Sequence, residues 1–184
     1  MAPRRVLYSN DGSRETLSRM ISIEAIKPEE WSEAWRIMQP VFAGGDTCAY
    51  APEISEAEAF AAWIKAPSAT FVAKDERGNL LGIYYLKTNQ PGLGSHVANC
   101  GYVVSEAARG QGVAAALCEH SQEEAKRRGF LAMQFNIVVA TNEVAVRLWQ
   151  RLGFAIVGRV PAAFRHKQLG FVDILVMHKQ LSAP

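Results

Sequence analysis

The densest chemistry in the chain lies in Val104-Ser105-Glu106-Ala107-Ala108-Arg109-Gly110-Gln111-Gly112-Val113-Ala114. An apolar run ends in a glycine-rich turn, and a helical pattern follows it. The free N–H groups of a helix N-terminus and the positive end of its dipole favour anions. Glycines let a phosphate approach the backbone and supply φ > 0 where a turn needs it. Arg109 adds a planar fork of charged donors. Other phosphate loops are spaced differently. There is no Gly-Lys-Ser or Gly-Lys-Thr, and Gly110-Gln111-Gly112 runs on into Val113, Ala114 and Ala115 rather than a third glycine. The competing reading is a tight turn whose glycines serve conformation alone.

Two asparagines stand in apolar strand-like runs, Asn99 before the glycine turn and Asn136 within Gln134-Phe135-Asn136-Ile137-Val138. Asparagine is disfavoured in strands and must be hydrogen-bonded when buried. On neighbouring strands the pair either forms a structural amide network or orients a small polar substrate. His120 shares a helical face with Val113 and Leu117 and reads as a half-buried histidine rather than a base. Cys100 and Cys118 read as small buried apolar residues rather than nucleophiles. Glu53, Glu56 and Glu58 read as a solvated helix start, with recognition of a cationic amine as the alternative.

The bulk properties exclude several classes. The chain has 184 residues with 49% hydrophobic and 21% charged, the profile of one globular domain. The net charge is +2, and Arg4, Arg5, Arg14 and Arg19 against Asp11 and Glu15 carry all of it. The neutral remainder argues against a nucleic-acid surface. Three cysteines without CxxC spacing and four histidines argue against a zinc site or a disulfide framework, so no metal is expected and a reducing cytoplasm is the default compartment. No apolar run approaches the ~20 residues that cross a bilayer. Residues 1–20 are polar and aperiodic and read as a flexible leader, with a single domain over 21–184.

The elements that must position these residues are legible in outline. Ile21 to Ile26 alternates as a strand. Pro28 opens a helix that carries Trp31, Ala34, Trp35 and Met38 towards Pro40. Ser55 and Glu58 form a capping box for a second helix, which Pro67 ends. Thr70–Ala73 and Leu80–Leu86 pair as a hairpin around Asp75–Asn79. Val97–Val104 is a strand, 112–128 a helix closed by Gly129, and Phe130–Val139 a strand. A helix from Thr141 closes at Gly153. Strands at Phe154–Val160 and Val172–Met177 follow, with a loop over 161–170. This order gives a mixed α/β sheet rather than a doubly wound one.

Arg109-x-x-Gly112-x-Ala114 after a strand resembles the (Gln/Arg)-x-x-Gly-x-(Gly/Ala) motif of the GCN5-related N-acetyltransferases. Asn142, Ala145, Leu148 and Gly153-Phe154 resemble a second segment of that family, Asn-x-x-Ala-x-x-Leu-Tyr-x-x-x-Gly-Phe. The resemblance spans 21 to about 181. It implies a mostly antiparallel sheet of about seven strands, helices on both faces and splayed central strands. It implies acetyl-CoA as co-substrate and an amine as acceptor. Backbone amides of Arg109, Gly110, Gln111, Gly112, Val113 and Ala114 would hold the CoA pyrophosphate. Backbone groups of Tyr102, Val103 and Val104 would pair with pantetheine, and Asn142 would hydrogen-bond the pantetheine or phosphate region. The family's usual tyrosine acid is replaced by Trp149, whose indole only donates and is far too weak an acid. The segment Phe135–Asn142 with Leu148-Trp149 and Gly153-Phe154 is similar to fungal acetyltransferases that detoxify proline analogues such as azetidine-2-carboxylate. That likeness implies that Asn99 and Asn136 contact the substrate. The alternatives are a peptide or protein acceptor, or a non-catalytic acyl-CoA-binding module. A homodimer is common in such proteins, and no residue here marks its face.

Overall fold

The computed structural model describes residues 5–6 and 21–183. Its strands are β1 (Arg5–Val6), β2 (Ile21–Ala25), β3 (Ala69–Lys74), β4 (Leu80–Thr88), β5 (Val97–Val104), β6 (Ala132–Val139), β7 (Ala155–His166) and β8 (Gly170–Gln180). They form one sheet in the order β1-β2-β3-β4-β5-β6-β8-β7. Only β5 and β6 pair parallel; the other neighbours are antiparallel. The flexible-leader reading of residues 1–20 lies outside the described residues, except that Arg5 and Val6 pair with Ser22 and Ile21. Among the described residues, no helix is long and apolar enough to cross a membrane.

Helices cover both faces because the central strands bury alternate residues on each side. Val72, Ile83, Tyr85 and Val103 pack under α1 (Trp31–Gly44) and α2 (Glu56–Phe60, continued by a π-helical turn over Ala61–Lys65). Tyr84, Leu86, Ala98 and Cys100 pack under α3 (Val113–Arg127) and α4 (Glu143–Arg151). The expected capping box at the start of α2 forms, with Ser55 N–H donating to Glu58 Oε2 at 2.9 Å and Glu58 N–H to Ser55 Oγ at 3.3 Å.

Two boundaries differ from the sequence expectation. The first helix does not stop at Pro40 but runs to Gly44, and Gly45 closes it at φ 61°. Pro40 costs about 3 kcal/mol inside a helix. It is exposed, while Met38 and Phe42 on either side are fully buried and hold the helix together. The segment 161–170 is not a loop. β7 and β8 pair out to His166↔Gly170, and a register shift between Val160 and Phe164 absorbs Pro161 and Ala162, the latter at φ 53°. An edge strand tolerates a proline at such an irregularity. Asp173 secures it by accepting from Arg159 Nε at 2.6 Å and from the Ala162 N–H at 2.9 Å.

The feature that positions the site is a split. β5 and β6 are in register only at Val97↔Ala132 and Ala98↔Met133 and then diverge. β6 also shifts register against β8 between Phe135 and Val138.

Candidate active site

At the C-terminal end of β5 the chain passes through a 3-10 turn at Glu106–Ala108 into Gly110 (φ 74°) and Gly112 (φ 80°), the N-cap of α3. A Cβ at either glycine would meet nothing within 4 Å. Conformation therefore demands glycine here, and the space in front of the backbone stays open. Val113, Ala116 and Leu117 are buried and seat the helix.

The expected cradle of six amides is smaller. Arg109 N–H turns back to the Glu106 carbonyl at 3.2 Å, and Gln111 N–H to that of Ala108 at 3.4 Å. Gly110, Gly112, Val113 and Ala114 have no backbone acceptor among the described residues, and the first helical bond is Ala116 N–H to Gly112 O at 3.0 Å. Four free amides at the N-terminus of a 15-residue helix, beside the exposed Arg109, fit a pyrophosphate.

The split opens a cleft of about 360 Å³. One wall is β5 from Asn99 to Tyr102, the other β6 from Phe135 to Val139. From Asn99 to Val104 the flank of β5 that faces β6 has no strand partner, so backbone groups there are open to an extended arm. Of the three residues expected to pair with pantetheine, Tyr102 lines the cleft, while Val103 and Val104 continue the flank towards the turn. Asn142, Ala145 and Trp149 line the α4 side. Asn142 Oδ1 caps α4 by accepting from the Ala145 N–H at 3.2 Å, leaving Nδ2 for a ligand. Trp149 is buried, its ring 5.1 Å from Tyr102 and 5.2 Å from Phe135, so it is a packed wall of the cleft.

On the α1/α2 face the two flagged asparagines come together indirectly. Tyr85 donates its hydroxyl to Asn99 Oδ1 at 3.3 Å, and Asn99 Nδ2 donates to the Gln134 carbonyl at 2.9 Å. Gln134 Nε2 donates to Asn136 Oδ1 at 2.9 Å, and Asn136 Nδ2 to Asn89 Oδ1 at 2.7 Å. Gly101 opposes Tyr85 across the ladder, and the ring lies over it. Lys87 opposes Asn99 and holds its Nζ 5.1 Å from the Tyr85 ring centroid. Tyr85, Lys87, Asn89 and Gln134 were not singled out from the sequence. Strand alternation separates Tyr85 and Lys87 from Tyr84 and Leu86, but only the pairing of β4 with β5 brings them beside Asn99.

The electrostatics leave few reacting groups. Burial pushes the Tyr85 hydroxyl far above the ordinary tyrosine range. It pushes the Cys48 thiol up to about 11, the Cys118 thiol to about 11, and that of Cys100 higher still. All stay protonated at neutral pH, which removes an acyl-cysteine route. His120 Nδ1 lies 2.7 Å from the Tyr84 hydroxyl on the α3 side, outside the cleft. Glu58 is engaged in its cap, and neither Glu53 nor Glu56 lines the cleft. Among the described residues no Asp, Glu or His lines it, and Lys87 is the one charged side chain that does. Among the described residues, no group of three His, Cys, Asp or Glu could hold a metal ion.

Comparison with known proteins agrees with this geometry. The N-acetyltransferase aca1 of Schizosaccharomyces pombe is 38% identical over 112 residues, 60% of this chain and 54% of that protein. The chain thus spans about half the length of that curated relative. A GCN5-related N-acetyltransferase structure from Kribbella flavida superposes with a TM-score of 0.83 at 41% identity, covering 87% of this chain and 97% of the other. A phosphinothricin acetyltransferase from Sinorhizobium meliloti, solved with acetyl-CoA, shares the fold with a TM-score of 0.78 at 21% identity, over 88% and 89% of the two chains. Residues 29–154 match the description of the acetyltransferase (GNAT) family, and the chain belongs to that family.

Proposed function

We propose that the protein transfers the acetyl group of acetyl-CoA to the amine of a small metabolite, an amino acid or a cyclic secondary amine such as a proline analogue, by direct attack in a ternary complex. The observation that supports the small-molecule reading is a tie between the β7–β8 hairpin and the end of α1. At the tip of the hairpin, Lys167 N–H donates to the Gly45 carbonyl at 2.9 Å and Lys167 Nζ to the Ala43 carbonyl at 3.0 Å. Gly45 closes α1, and the segment that follows it, Thr47–Tyr50, lines the cleft. A peptide needs an open groove, and this tie fixes the segment against opening one.

Acetyl-CoA, when bound, supplies an acyl group activated as a thioester. The amides of Gly110, Gly112, Val113 and Ala114 would hold its pyrophosphate, the free flank of β5 would align the pantetheine arm, and Asn142 Nδ2 would donate to it. A β5 N–H facing the split would polarise the thioester carbonyl. Asn99 and Asn136 would orient the amine. Water would take the amine's proton, because among the described residues no carboxylate or imidazole lines the cleft. The departing thiol needs no protein acid, since thiols ionise near ~8.5. Most of the acceleration then comes from positioning.

The test is acetyl-CoA-dependent CoA release over proline analogues, ordinary amino acids, polyamines and a peptide N-terminus, with a no-acceptor control for the protein's own thiols. Selective turnover of small amines is expected. A peptide as the fastest acceptor would refute the small-molecule reading. Acetyl-CoA binding without turnover of any amine would make the protein a binding module.

A further inference from the structure

We infer that Lys87 is a specificity-determining residue that selects acceptors carrying an anionic oxygen group, a carboxylate, beside the amine. The inference rests on the small-amine function proposed above and adds the group by which the acceptor is chosen. Three observations carry it. Among the described residues the cleft is lined by one charged side chain, Lys87, and by no carboxylate, so this lining is built against a dication and for an anion. Lys87 is half-buried and makes no ion pair among the described residues; its contact is with the Tyr85 ring face at 5.1 Å. The other lysines that reach a partly buried polar setting are satisfied: Lys74 by Glu24 and Glu30, Lys179 by Gln122 and the Leu152 carbonyl.

Position supports the assignment. Lys87 lies opposite Asn99 at the apex of the split, on the face that carries Tyr85, Asn99 and Asn136. An acceptor whose amine is held by the asparagines presents the rest of its body to this wall. A compact acceptor with amine and carboxylate on one carbon, as in proline and azetidine-2-carboxylate, presents the carboxylate close to the amine. The ring beneath the ammonium keeps it from bulk water and strengthens its attraction for a counter-ion. The amine must arrive uncharged to attack, so the substrate's remaining charge is the carboxylate alone, which Lys87 matches.

Paired acceptors test this: proline and azetidine-2-carboxylate against their carboxamides, with Lys87→Met, Lys87→Arg and Lys87→Glu. In the parent protein kcat/KM, referred to the uncharged amine because the two members of a pair differ in amine pKa, should favour the carboxylate by about tenfold, and the preference should sit in KM. Lys87→Met should bring the ratio near one, Lys87→Arg should keep it, and Lys87→Glu should invert it. Equal turnover of acid and amide by the parent, or an unchanged ratio in Lys87→Met, overturns the assignment and leaves the acetyltransferase reading standing. Failure of that reading looks different: neither member of any pair turns over. Calorimetry with free CoA then decides Lys87, because N-acetylproline should bind about tenfold tighter than N-acetylprolinamide. Equal or absent binding overturns the assignment.

Discussion

Replacing Gly101 by alanine tests how tightly the acceptor wall is built. A Cβ there would lie 2.6 Å from Tyr85 Cε1, 2.9 Å from Cζ and 3.0 Å from the hydroxyl. Carbon contacts are optimal at about 3.5–4.0 Å, so ring or strand must retreat by about 1 Å. The ring has little room. Trp63 meets it edge-on at 4.9 Å, and Tyr85 is 9% exposed. Overpacking of this kind costs about 1–3 kcal/mol. Gly101 is not a positive-φ glycine, so alanine regains about 0.5–1 kcal/mol of strand entropy. The net loss is about 1–2 kcal/mol, or roughly 2–8 °C in Tm for a chain of this size. A displaced ring also breaks the Tyr85–Asn99 hydrogen bond, worth about 1 kcal/mol, so acceptor KM rises about fivefold. Affinity for acetyl-CoA, whose pyrophosphate is proposed to sit at the glycine turn, should stay within error. Thermal melts and steady-state kinetics read both effects. A cycle with Tyr85→Leu isolates the clash: Gly101→Ala should cost about 1–2 kcal/mol less once the ring is gone. A stable Gly101→Ala protein with no coupling to position 85 would refute the packing argument.

Gly112→Ala places a side chain at φ 80° with nothing to strike, so its penalty is conformational, about 1–2 kcal/mol. The displaced Gly112 and Val113 amides should weaken acetyl-CoA binding in calorimetry, and an unchanged Kd would remove them from the cradle. Asn142 separates cap from ligand contact. Asn142→Ala should lose about 1 kcal/mol of stability with the cap, whereas Asn142→Asp should keep the cap and weaken acetyl-CoA binding alone. The Cys48 thiol, raised from 9.0 to about 11, should react with iodoacetamide about a hundredfold more slowly at pH 8 than in the unfolded chain. The unfolded thiol ionises first, so its stabilising contribution is present below pH 9 and lost as pH rises towards 11. Alkylation at the unfolded rate would show that the thiol is not shielded.

Local signals survived into the structure, and nonlocal ones had to be supplied by it. The Ser55–Glu58 capping box, the left-handed glycines at 110 and 112 and the hairpin turn at Asp75–Asn79 act over a few residues, and each is where its pattern points. Asn99 and Asn136 were visible because a polar amide inside an apolar run needs a partner. Their partners were not, because Gln134, Asn89 and Tyr85 depend on which strands become neighbours. Pro40 misled because a helix boundary is decided by burial on both sides of it as well as by the missing N–H. Pro161 misled because a register shift can hold a proline within an edge strand. Of the six amides proposed to hold a pyrophosphate, those of Arg109 and Gln111 bond back into the turn at 106–108, a detail that glycine spacing does not encode.

The hydrogen bonds form the structural network that was one alternative for the asparagines, and the substrate-orienting role proposed above is compatible with it. Continued in register, β5 and β6 would next pair Asn99 with Gln134, and there Asn99 Nδ2 takes the Gln134 carbonyl in place of a ladder bond. The side chain closes the apex, and the backbone beyond it is left for ligands and water. Each amide of Asn99 and Asn136 uses one N–H and one lone pair in the frame and keeps a second of each. Held this way, they have polar groups fixed in place, which the proposed role in orienting the amine requires. None of them titrates, and Tyr85 and Cys48 keep their protons through neutral pH. The amine is then the group whose ionisation gates attack. kcat/KM for the acceptor should rise tenfold per pH unit and level off at the pKa of that amine. Two acceptors with well-separated amine pKa values should show correspondingly separated breakpoints. A shared breakpoint near pH 6–7 would mean that a protein base controls the step, contrary to a cleft without carboxylate or imidazole.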